Sequence, residues 1–100
     1  MRKIKEIIMK MDDEIEDAKA KADEYADYKV DGDNQEASAS KQAALDELKH
    51  ADLYHSRAVK EIQKIRQTFP EPPAKMLEKW EKEHREYIDR VAFIKQILSM

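Results

Sequence analysis

The chain has 100 residues, 41% of them hydrophobic and another 41% charged, with one Gly, three Pro and no Cys. This length makes a single domain, and the lack of cysteine excludes disulfides, thiolate zinc sites and cysteine nucleophiles. The formal charge is −3, and 19 basic and 22 acidic side chains are spread along the sequence, so the clustered basic footprint of a nucleic-acid binder is missing.

This mixture favours long amphipathic helices over sheet, in which turn residues recur often. The opening MRKIKEIIMKM has no continuous apolar stretch and reads as the first turns of a helix, not as a signal peptide. No apolar run approaches the roughly 20 residues of a membrane span, so a cytoplasmic protein is expected.

The first helix is predicted over residues 2–28, with Ile4, Ile7, Ile8, Met11, Ile15, Ala18, Ala22 and Tyr25 as its apolar stripe. Val30-Asp31-Gly32-Asp33-Asn34 breaks it, Gly32 serving as the left-handed terminator. Asp33, three residues before Glu36, has the spacing of a cap for the next helix.

That second helix is predicted over residues 34–68, with Ala44, Leu48, Ala51, His55, Ala58, Ile62, Ile65 and Phe69 as its stripe. Pro70-Glu71-Pro72-Pro73 ends it, and Pro73 suits the first turn of a third helix over residues 73–98. There Leu77, Trp80, His84, Tyr87, Ile88, Val91, Ile94 and Leu98 are expected inward. Short loops make neighbouring helices antiparallel. The expected fold is therefore all-α, a helical hairpin plus a third helix. So thin a chain buries only about 60–70% of its surface, which favours dimerisation into a larger bundle.

Folding about Asp31-Gly32 brings Glu14 opposite roughly residue 49, level with Glu47 and His50. Glu47 and His50 form a Glu-x-x-His pair, and residues three apart share a helix face. A carboxylate on one helix facing a carboxylate and an imidazole on its neighbour is half of a helical-bundle di-metal site. Glu14, Glu47 and His50 are the candidate metal ligands. Without metal, they read as a solvated acidic face with a helix-stabilising Glu–His pair.

Glu14, then Ala18, Ala22 and Tyr25, then Leu45-Asp46-Glu47-Leu48-Lys49-His50-Ala51-Asp52-Leu53, resembles the ferritin-like superfamily over residues 10–60, in particular rubrerythrin-like and encapsulated-ferritin-like half-bundles. The resemblance implies that Glu14, Glu47 and His50 bind iron. It also implies ferrous-iron oxidation or oxygen/peroxide chemistry at a di-iron site completed by a second copy. The alternative is a metal-free helical interaction or adaptor protein, similar in size and texture to small helical proteins of bacterial viruses and prophages.

A second Glu-x-x-His, Glu81 to His84, lies in the third helix, about 12 Å along the bundle from His50, and stays outside the first cluster. His55 and His84 read as core histidines satisfied by a neighbour. Their predicted levels differ by about one turn, which leaves room for a polar cluster with Tyr87. Trp80, Tyr87 and Phe93 read as core or dimer contacts, and Met1, Met9, Met11, Met76 and Met100 as adaptable interface surface. Lys60, Lys64, Arg66, Arg85, Arg90 and Lys95 read as a solvated flank. Ser38, Ser40 and Ser99 match no nucleophile pattern.

Overall fold

A computed structural model describes residues 2–71 and 73–100, with the backbone alone for Arg2; Met1 and Pro72, which figure in the expectations above, lie outside the described residues. Three helices and, among the described residues, no strands make up the fold: α1 (Arg2–Asp31), α2 (Asn34–Thr68) and α3 (Ala74–Leu98).

α1 runs three residues beyond the predicted Tyr28. It is closed by paired backbone bonds, Asp33 N–H to Tyr28 C=O at 2.9 Å and Gly32 N–H to Lys29 C=O at 3.2 Å. That pairing needs a left-handed residue just past the helix, and Gly32 sits at φ 80°. The Asp33 carboxylate then accepts from Glu36 N–H at 3.2 Å and caps α2. At the other end Phe69, forced out of helical geometry by the following proline, is extended at φ −106°, ψ 126°. Pro73 takes the N-cap position, one residue ahead of where the pattern puts it, and α3 starts at Ala74.

Lys3 meets Glu61, Glu14 meets His50, and Ser40 donates to Glu24. The α2 number falls as the α1 number rises, so these helices are antiparallel. His55 meets His84 and Tyr87 meets Asp52, which makes α3 antiparallel to α2 and parallel to α1. The molecule is a rod of 57 × 17 × 16 Å, and a 35-residue α2, about 52 Å long at 1.5 Å per residue, accounts for most of its length.

Small residues bring α1 and α2 together. Ala37, Ala44, Ala51 and Ala58 are all buried at seven-residue intervals on α2; the first three share a core cluster with Ala18 and Ala22 of α1, and Ala58 packs with Ile4 and Ile7. Such spacing keeps one seam of a helix against its neighbour, and methyl-sized side chains allow the backbones to approach. Ala37 and Ser40 extend this seam beyond the Ala44 at which the predicted stripe begins.

α3 rests in the groove on one side of this hairpin, mainly against α1, and touches α2 only sparsely. Tyr87, Ile94 and Leu98 join the core around Met11 and Ile15, while Trp80 seals a second cluster with Ile4, Ile7, Ala58 and Ile62. Ile88 and Phe69, expected inward, are half exposed at 50% and 48%. α3 meets one groove rather than two helices equally, so its buried face is narrower than its apolar stripe. Phe93 is also exposed, and Met11 is fully buried, in keeping with its place in the α1 stripe and not with interface surface.

Candidate metal centre

Glu14 and Glu47 lie on the flanks of α1 and α2 turned away from α3, and His50 is one turn along from Glu47. The predicted layer places Glu14 opposite residue 49; in the structure His50 Nδ1 lies 3.7 Å from Glu14 Oε2 and 4.0 Å from Glu47 Oε2. One donor atom from each of the three residues falls within 4.8 Å of the other two. The carboxylates are half-buried, while the His50 side chain is 57% exposed, so the cluster opens onto the uncovered groove of the hairpin.

Its electrostatics are strained. The Glu47 pKa is raised, first because its protonated form can hydrogen-bond Glu14, then by burial and by the Glu14 charge, with His50 opposing. When both carboxyls are ionised no donor reaches Glu14 Oε2, a buried oxygen without a hydrogen-bond partner. A buried acceptor left in that state costs about 1–3 kcal/mol. A proton shared by the carboxylates relieves it, and so does a cation.

The donor set fits a metal. Two carboxylates and one imidazole, with no thiolate, suit iron, manganese or zinc. Donors about 2.0–2.2 Å from a common ion lie roughly 3 Å apart, so the triangle must contract by about 1 Å, within the reach of partly exposed side chains. The outward side leaves coordination positions open. Beside it, Leu53 is exposed and Tyr54 lies beneath the cationic groups of Lys10 and Arg57, at 5.9 and 5.5 Å.

His84 takes no part in this centre. It faces His55 across the α2–α3 junction, with His55 Nε2 and His84 Nδ1 2.7 Å apart. The ring of Tyr87 lies flat on His55, 4.4 Å between centroids and 8° between planes, and Trp80 flanks both imidazoles. Tyr87 Oη donates to Asp52 at 3.5 Å, and burial, with the Asp52 charge adding to it, pushes the phenol up to about 12. The sequence offers both histidines as core residues, but the one-turn mismatch in their predicted levels conceals the direct bond. Glu81, the partner of His84 in the second Glu-x-x-His, points away, 4.0 Å from Arg66.

Most of the expected basic flank is exposed, but it does not form one uniform face. Lys64 pairs with Glu61 at 3.5 Å, and Arg90 reaches over to Asp12 on α1 at 3.3 Å. No helix is long and apolar enough to cross a membrane among the described residues. The chain matches no protein-family model, no curated protein and no solved structure.

Proposed function

We propose that this protein handles iron through Glu14, Glu47 and His50, and that a second copy facing the open side of the hairpin supplies the other half of a two-ion, ferritin-like centre. One observation carries the reading: two carboxylates and an imidazole from two helices converge within 4.8 Å, and one oxygen among them, Glu14 Oε2, is buried with no donor. A cation supplies the partner that this oxygen lacks.

The ligand half-set is that of dinuclear carboxylate proteins, in which a Glu from each of two helices joins a Glu-x-x-His from each of two others. A twofold pair of chains supplies that complement from symmetric positions. Bound there, iron brings one-electron chemistry with oxygen or peroxide. The chain's own part is to hold the ion between Glu14 and Glu47, to orient His50 from the turn beyond, and to leave the outward side free for a small oxidant.

The test is ferrous loading in air, read by elemental analysis and light scattering on the same sample. Roughly two irons per dimer, absent in Glu47→Ala and Glu14→Ala, is the expected result. Equal iron in wild type and both variants overturns the reading. The exposure of Leu53, Ile88 and Phe93, at 60%, 50% and 53%, favours a second reading, a metal-free helical interaction protein. Stable oligomers without metal would establish that one instead.

A further inference from the structure

α2 carries a second carboxylate-x-x-His spacing, Asp52 to His55, five residues beyond Glu47 to His50. The first pair faces the open groove, whereas the second faces α3. There it meets another imidazole instead of a second carboxylate. His55 Nε2 and His84 Nδ1 point at each other at 2.7 Å, with their rings only 16° from parallel and their centroids 4.8 Å apart. That separation means that the rings meet edge to edge along one line. Both nitrogens are aimed at a common point between helices that otherwise hardly touch.

We propose that His55 and His84 form a second metal site, separate from Glu14, Glu47 and His50, which takes a late first-row divalent ion such as Ni²⁺, Cu²⁺ or Zn²⁺ and staples α3 to α2. Imidazole nitrogen is the donor these ions favour over the hard oxygen-binding cations. Two nitrogens each about 2.0–2.1 Å from a tetrahedral ion lie roughly 3.3 Å apart, so these rings need to part by about 0.6 Å and to tilt until both lone pairs converge on a point beside the line that joins them. Both are half-buried.

At present the two nitrogens share one hydrogen: one ring donates and the other accepts. For both to offer lone pairs, the donating ring moves its hydrogen to its outward nitrogen, so two neutral imidazoles enter the site and no net proton is released. Asp52, one turn before His55, is held by the Tyr87 hydroxyl. Trp80 and Tyr87 wall the pair on the α3 side.

The chain's one tryptophan makes the site observable without any enzymatic assay. Trp80 lies 5.9 and 5.6 Å from the two imidazole centroids, so paramagnetic Ni²⁺ bound between them quenches its fluorescence. Titration of the full chain with Ni²⁺ is expected to give saturable quenching in wild type, in His50→Ala and in Glu14→Ala, with one midpoint. In His55→Ala and His84→Ala that midpoint should rise by roughly tenfold or more, since even the outer partners of a metal ligand are worth about 10–100-fold.

A parallel measurement needs no variant: Zn²⁺ added to wild type should shift the imidazole ¹⁵N resonances of His55 and His84 together. No saturable quenching in wild type, an unchanged midpoint in His55→Ala, or Zn²⁺ shifts confined to His50 overturns the proposal. Because His50→Ala removes the first centre and leaves Trp80 and both rings in place, failure of the iron reading and failure of this one are separately visible.

Discussion

The two carboxylate-x-x-His pairs of α2 are built from nearly the same residues and end in opposite surroundings. Glu47 and His50 open onto a groove with nothing over it, and their partner from α1 is another acid. Asp52 and His55 lie under α3, and their partners are rings. The 100° advance per residue of a helix separates them: five positions turn the second pair onto the other flank of the alanine seam. A motif of two residue types therefore carries little meaning until the face it occupies is known, and that face depends on where the third helix lies.

The comparison can be broken most forcefully from α3. Ile94 is 1% exposed and anchors α3 against the hairpin; Ile94→Ala should cost about 2–5 kcal/mol. This is a fall in Tm on the order of 10 °C or more. Trp80 fluorescence should redden as the ring cluster loosens, while chemical shifts around Glu14 and His50 hold. Next in size is Ala51→Leu, which forces a larger side chain into the seam behind both pairs. Overpacking there should cost about 1–3 kcal/mol, read from urea midpoints, and should disturb both sets of histidine resonances at once.

Acidity acts on the two clusters in opposite senses. The folded-state pKa of His55 lies below the usual imidazole value of 6.5, so the stability it brings is fully present above pH 6.5 and is lost as pH falls toward the folded value. Thermal unfolding from pH 7.5 to 5 should show this loss, and His55→Gln should flatten it. Glu47 has a raised folded pKa. Its contribution is present below the usual glutamate value of 4.5 and is lost as pH rises through the raised value. Metal-free Glu47→Gln should therefore unfold at a higher temperature than wild type at pH 7, a gain that fades in acid. The smallest change is expected from Lys19→Ala, which removes an exposed pair with Asp23 at 2.8 Å. Such pairs contribute about 0.3–0.5 kcal/mol, and denaturant midpoints should barely move.

Much of the fold is legible in the sequence because its signals are local. Gly32 and Asp33 stop one helix and start the next through bonds within five residues, and Pro70 ends α2 by its effect on Phe69. The level of Glu14 with His50 follows from the same turn, since a tight hairpin leaves no slack in register. Less legible is the α2–α3 register. It passes through the extended residues around Phe69 and the proline-rich corner, where one turn of uncertainty separates His84 opposite Ala58 from His84 opposite His55. Ile88 fails for a related reason, since an apolar stripe records which side of a helix is greasy but not how broad a groove awaits it, whereas Phe69 has already left helical geometry at the end of α2.

The slender cross-section of the rod, 17 × 16 Å, has a further consequence for kinetics. A shell-forming storage protein encloses its cargo, whereas here the His50 side chain is 57% exposed. An ion held by Glu14, Glu47 and His50 would meet solvent directly, so its residence time would be set by how many ligands it keeps and not by any door.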